Sequence, residues 1–160
     1  LANANFLSAS NTPIMEAMVR VPATPNQSYS TSLIWLGLAE ARNSVANAAT
    51  EPLSNAAYFR VVDGNPWEAV TFSRGKGTIS QLDITAKNNR FIKLRIEVSS
   101  STVNFVANDK IVAIHSTTTP VGLMQPVMNV GSTGTGGKHI FDIHRVRFWW
   151  NPFTSQSVPN

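Results

Sequence analysis

The amino-acid sequence predicts an all-β sandwich. Three observations lead there: apolar and polar residues alternate with a period of two through most of the chain, the alternating runs are short, and turn-forming residues separate them.

Taken in order, residues 14–21 place Met15, Ala17, Val19 and Val21 on one face and Glu16 and Arg20 on the other. Residues 32–38 are nearly all apolar (Leu33, Ile34, Trp35, Leu36), as expected of a strand covered on both sides. Residues 56–62 and 67–73 flank Asp63-Gly64-Asn65-Pro66, a turn signal with a mechanism: glycine accepts positive φ and proline cannot continue a ladder. Further strands are predicted at 78–84, 91–98, 102–107, 110–115, 124–130 and 139–150. Residues 40–50 are rich in Ala, but Asn43, Asn47 and the following Pro52 weaken a helix, so a long loop with one helical turn at most is expected. The glycine cluster 131–137 reads as a flexible loop. It is no phosphate cradle, because no Lys-Ser/Thr pair follows and it opens a strand.

The last strand has a phase problem. Phe141 and Ile143 share one face, whereas Val146, Phe148 and Trp150 share the other. A β-bulge near His144-Arg145 brings both sets to the core side.

A length of 160 residues suits one domain, expected to span 1–160. Only 14% of residues are charged, against about 25% in a typical soluble protein. Ser, Thr and Asn fill the gap, as in Ser99-Ser100-Ser101 and Thr117-Thr118-Thr119. Such a surface suits packing against neighbours or hydrogen bonding to neutral ligands. The net charge of +4 is scattered. Its densest group, Arg90, Lys93 and Arg95, falls on or beside a predicted strand and reads as a solvated face, so no nucleic acid is expected. Cysteine is absent, which removes disulfides and thiolate chemistry. No apolar run approaches the ~20 residues needed to span a bilayer, so no membrane insertion is expected. Residues 1–10 lack the pattern of a signal peptide, and Leu1 stands where an initiator Met would, so the chain reads as processed or cut from something longer.

From Phe91 onward the chain resembles the concanavalin A-like lectin/glucanase superfamily. The resemblance lies in Phe91-Ile92-Lys93-Leu94-Arg95-Ile96-Glu97-Val98 with Val103-Asn104-Phe105-Val106-Ala107-Asn108-Asp109-Lys110, in Met124-Gln125-Pro126-Val127-Met128-Asn129-Val130, and in Asp142 through Trp149 with its Val146-Arg147-Phe148-Trp149 ending. Asn108-Asp109 stands at the turn where family members often carry Asp-Gly. The amino-terminal half fits through Glu16-Ala17-Met18-Val19-Arg20-Val21 and Leu36-Gly37-Leu38. The resemblance implies an antiparallel two-sheet jelly-roll sandwich with one concave sheet. It does not carry function, because the fold hosts lectins, glycosidases, adhesion modules and virion proteins alike.

Glycoside hydrolysis needs two carboxyl groups, about 5–5.5 Å apart in retaining enzymes, and glucanases of this superfamily place them on one strand. None of the nine acidic residues forms such a cluster: Glu68 has Thr71 and Phe72 where partners belong, and Glu97 is followed by Val98 and Ser99. The sequence therefore predicts a protein that is not an enzyme, with no catalytic residue, metal or cofactor. Asp63, Asn65 and Glu68 contain oxygen donors suited to a hard cation, but a hairpin explains Asp63 and Asn65 equally well. His115, His139 and His144 have no metal-ligand spacing on one strand.

Aromatic residues are the best binding signal. Trp35, Trp67, Trp149 and Trp150 offer flat faces for sugar rings, although large aromatics also fill sandwich cores. Trp35 and one of Trp149 and Trp150 are expected in the core. Trp67, beside a turn, is the sugar-stacking candidate, with Arg60 across the hairpin as its hydrogen-bonding partner.

Two functions follow. The first is a structural or decoration component of a bacteriophage-like virion, whose partners are the protein subunits of an oligomeric assembly. The alternative is a carbohydrate-binding module of a larger secreted or surface protein, with glycans as ligands. The expected location is the virion or the extracellular space.

Overall fold

The computed structural model describes residues 7–22, 32–40, 55–86, 89–132 and 140–150. In chain order the strands are β1 (Leu7–Ser8), β2 (Pro13–Arg20), β3 (Ser32–Ala39), β4 (Asn55–Val62), β5 (Glu68–Ser73), β6 (Lys76–Gln81), β7 (Ile92–Val98), β8 (Val103–Ala107), β9 (Lys110–His115), β10 (Leu123–Ser132) and β11 (Asp142–Trp150). A single 3-10 turn, Ala9–Asn11, joins β1 to β2. Among the described residues these strands pair antiparallel, in a six-stranded sheet ordered β1-β10-β3-β4-β5-β6 and a five-stranded sheet ordered β11-β2-β7-β8-β9. The fold is thus an all-β, antiparallel two-sheet jelly-roll sandwich. The loop expected after Glu40, the glycine loop beyond Ser132, and His139 lie outside the described residues.

The inward faces follow the alternation. Met15, Ala17 and Val19 of β2 and Ile92, Leu94, Ile96 and Val98 of β7 meet Ile34, Leu36 and Leu38 of β3 and Ala57, Phe59 and Val61 of β4 in one core. Burying each large side chain contributes roughly 1.5–3 kcal/mol before chain entropy is subtracted. The outer face of the six-stranded sheet is apolar as well. Leu33, Trp35 and Ala39 of β3 cluster there with Ala56, Tyr58 and Val70. This is why β3 reads as an unbroken apolar run.

Gly37 makes that outer cluster possible. It pairs with Tyr58, and a Cβ at position 37 would stand 2.3 Å from the Ala57 carbonyl oxygen and 2.4 Å from Tyr58 Cα. The Tyr58 ring instead lies against Trp35, with centroids 5.5 Å apart.

Three hairpins share one turn chemistry. Asp63 and Gly64, Arg74 and Gly75, and Asn108 and Asp109 all have positive φ, the mirror-image turn whose twist matches that of paired strands. At 108–109 neither residue is glycine. The Asn108 carboxamide accepts from the Lys93 N–H at 3.1 Å, and the Lys93 ammonium holds Asp109 at 2.6 Å.

β11 carries the bulge that its phase demanded, with the register shifting between Ile143 and Arg145. Ile143 then lies opposite Val19, Val146 opposite Ala17 and Phe148 opposite Met15, all on the inward side of β2. Because β11 is an edge strand, only Val146 and the neighbouring Phe141 pack firmly on the core, and Ile143, Phe148 and Trp150 remain exposed. The two-residue β1, paired with Leu123 and Met124, is too short for alternation to announce. Among the described residues no helix is long and apolar enough to cross a membrane.

Candidate functional site

A cleft of about 390 Å³ opens at one end of the sandwich. The β5–β6 hairpin contributes Ser73, Arg74 and Lys76, and the β7–β8 turn contributes Ser100 and Ser101. The segment after β9 contributes Ser116, Thr117 and Thr119, with Val121 at the rim.

Local chemistry places each part. In the β5–β6 hairpin, Ser73 pairs with Lys76, so the mirror-image turn at Arg74-Gly75 sets both cations on one lip. In the β7–β8 turn the Ser99 hydroxyl accepts from the N–H groups of Ser101 and Thr102, which leaves Ser100 and Ser101 at the exposed tip. Asn55 anchors the third wall: its carboxamide oxygen accepts from the Val121 N–H at 3.1 Å, and its NH2 group donates to Glu40.

Beneath the cleft runs a hydroxyl chain that sequence reasoning missed. Thr117 meets Thr78 at 3.3 Å, the Thr118 hydroxyl donates to Thr78 at 2.8 Å, and Thr71 meets Thr118 at 2.6 Å. Thr71 also meets His115 Nδ1 at 2.8 Å, and Ser80 meets His115 Nε2 at 2.9 Å. With the Thr118 proton given to Thr78, Thr71 must donate to Thr118. His115 Nδ1–H therefore donates to Thr71 and the Ser80 hydroxyl donates to Nε2. Every bond is satisfied by a neutral imidazole, and burial pushes its pKa down. The available sequence signal was parity: His115 lies opposite Val103, an inward position.

Thr119 differs from its neighbours. Its Oγ1 is buried at the cleft and has no hydrogen-bond partner.

The sequence-predicted pair is not assembled. Trp67 is 1% exposed, its ring edge-on to Phe59 at 6.3 Å and near Phe141 at 6.4 Å. Its N–H donates to Ile84 and its carbonyl accepts from Leu82, so the β5–β6 pairing continues past the hairpin strands and turns the indole inward. Arg60 lies on the opposite face of that sheet. It pairs with Trp35 and Glu68, and its guanidinium binds the Glu68 carboxylate at 2.6 and 2.7 Å. Burial, then the Glu68 charge, pushes the nearby Tyr58 hydroxyl well above its ordinary pKa. Neither Arg60 nor Trp67 lines the cleft. The tryptophan expectations also reverse at the last strand, where Trp149 and Trp150 are both exposed, because an edge strand buries only part of its inward side. At Asp63 the positive φ accounts for the residue as a turn former, and among the described residues no group of three acidic or His side chains could hold a metal ion.

Charge concentrates on the outer face of the five-stranded sheet. Arg95 lies 2.8 Å from Glu97 and 3.8 Å from both Glu16 and Asp109, Arg145 reaches Glu16 at 3.6 Å, and Arg20 binds Asp142 at 2.5 Å. Carboxylates from three different segments thus converge on one guanidinium, an arrangement that spacing along a single strand does not reveal.

No protein-family model matches the sequence, and no curated protein matches it. Solved structures share the fold at low identity. The Emp47p carbohydrate recognition domain superposes with a TM-score of 0.64 at 11% identity, over 90% of this chain and 74% of that one. A native glycosidic hydrolase gives 0.62 at 14%, over 88% and 65%. Sheep galectin-11, in complex with glycerol, gives 0.53 at 10%, over 89% and 93%. These neighbours correct one expectation. The hydrolase, with the Crh5 transglycosylase and the Bacillus licheniformis β-glucanase that share the fold, removes the ground for excluding an enzyme. None of them is described as part of a virion, so the particle reading gains no support. The protein has the concanavalin A-like lectin/glucanase fold.

Proposed function

We propose that the protein binds carbohydrate, and that the cleft between the β5–β6 hairpin, the β7–β8 turn and residues 116–121 is where it does so. The observation that carries the reading is the lining: six hydroxyl side chains (Ser73, Ser100, Ser101, Ser116, Thr117 and Thr119) converge on one opening. Hydroxyls both donate and accept, so a ring of them can match a polyol group by group. Neighbours named as a carbohydrate recognition domain and a carbohydrate-binding module support the same reading. A larger cleft, about 510 Å³, is lined by Ile84, Ile92, Ala107 and Val112 together with Asp83, Thr85, Asn108 and Lys110, and offers a single hydroxyl, that of Thr85.

A glycan array probed with the purified protein tests it, followed by titration of the best ligand into a Ser116→Ala, Thr117→Val variant. The expected result is at least a tenfold loss of affinity with little change in melting temperature. Absence of any glycan ligand, or a ligand indifferent to the two substitutions, overturns the assignment.

A further inference from the structure

We propose that this cleft selects an anionic group on its ligand, the sulfate, carboxylate or phosphate of an acidic saccharide. The proposal rests on the carbohydrate reading for the carrier and on the cleft's own chemistry for the anion.

The first observation is charge without a counter-charge. Arg20, Arg60, Lys93, Arg95 and Arg145 each have a carboxylate within 4 Å. Arg74 and Lys76, side by side on the lip of the cleft, have no ion pair among the described residues, as is true of Lys110 and Arg147 elsewhere, and no described carboxylate lines the opening. The second observation is that the fixed charge in the lining is of one sign. Apart from Arg and Lys, which only donate, the polar lining consists of hydroxyls. It contains no carboxylate to accept from sugar hydroxyls and no aromatic ring to stack on a sugar face. A neutral saccharide can bond to the hydroxyls but leaves the two cations without a charged partner. An oxyanion presents acceptors only, and its bonds to Arg and Lys are charge-assisted.

The third observation is Thr119. A buried hydroxyl without a partner is a costly arrangement, and Thr119 Oγ1 is the one such atom at the cleft among the described residues. Its Oγ1 is closed to solvent as placed, so an acceptor seated in the cleft gains that proton only through a turn of the half-buried side chain. The hydroxyl chain below supports the walls: Thr117 is tethered to Thr78, which is bound in turn by Thr118. The lining is therefore backed by fixed groups instead of by solvent.

The experiment is calorimetric titration at constant ionic strength with three probes: a sulfated disaccharide, its desulfated counterpart and inorganic sulfate. The proteins are the wild type, the double variant Arg74→Asn, Lys76→Gln, and Thr119→Val. Asparagine is chosen at position 74 because it tolerates the positive φ found there. The expected result is at least tenfold tighter binding of the sulfated than of the desulfated disaccharide, a preference that the double variant abolishes at unchanged melting temperature. Thr119→Val is expected to weaken binding while leaving thermal stability equal or higher, the opposite of what a structural hydroxyl would do. Equal binding of the two disaccharides, unaffected by the double variant, overturns the anion selectivity and leaves the carbohydrate reading standing. Inorganic sulfate bound as tightly as the sulfated disaccharide keeps the anion site and removes the carbohydrate reading. No binding of any probe overturns both.

Discussion

The His115 imidazole and the Thr71 hydroxyl meet 2.8 Å apart inside the sandwich, with the histidine only 3% exposed. The other ring nitrogen is taken by Ser80, and the Phe105 ring lies 5.1 Å away. Burial holds the His115 pKa below its ordinary 6.5. As pH falls through that value the unfolded chain binds a proton that the folded chain refuses. The stabilisation is complete above 6.5 and is lost as pH drops towards the depressed native value. The unfolding free energy of the wild type is therefore expected to decline more steeply below pH 6.5 than that of His115→Gln. Parallel slopes in urea titrations across pH 7.5 to about 5 would mean that the ring is not held neutral.

Trp67 is expected to behave as a core residue. Replacing it with Ala removes an indole packed between Phe59 and Phe141 and should cost about 3–5 kcal/mol. Ligand affinity at the cleft should survive in whatever fraction stays folded. A Trp67→Ala protein that melts with the wild type would contradict the inward placement.

The Arg60–Glu68 pair on the other face invites a double-mutant cycle. Both side chains are largely covered, 11% and 20% exposed. Removing one partner should therefore cost on the order of 3 kcal/mol, because the other is left buried and uncompensated. Arg60→Met combined with Glu68→Leu is expected to be more stable than Arg60→Met alone. Strict additivity in chemical denaturation would show that the two side chains are not coupled.

Gly37→Ala tests the close approach of β3 to β4. The added methyl meets main-chain atoms that cannot rotate away, so a loss of about 1–3 kcal/mol or more is expected. The same change at Gly75, whose Cβ would meet nothing, should cost only the strain of its positive φ. A denaturation midpoint for Gly37→Ala equal to that of the wild type would place the strands farther apart.

Much of the fold was legible because sandwich strands advertise themselves by alternation. β2, β7 and β8 follow it, and even the bulge in β11 was announced by the conflict between Ile143 and Val146. The site was far less legible. Trp67 was misread because its neighbours in sequence are a turn and a glutamate, while the inward side is set by pairing with residues 82–84. The cleft residues are serines and threonines in a chain full of them, and only the meeting of two turns with the segment after β9 sets them apart. His115 carried a parity signal, but its partners Thr71 and Ser80 come from another sheet, which spacing cannot show.

The apolar clusters on both sides of β3 leave that strand without a polar side. On most half-buried strands a one-residue slip is forbidden because it would turn polar side chains into the core. Slipping β3 would exchange Ile34, Leu36 and Leu38 for Leu33, Trp35 and Ala39 with no such penalty, so polarity does not encode its alignment. Volume does: the one position without a side chain has to face Tyr58, and the indole of Trp35 has to lie beside that ring. During folding, misaligned pairings of β3 should consequently be nearly as hydrophobic as the native one and be rejected only late, when side chains interlock.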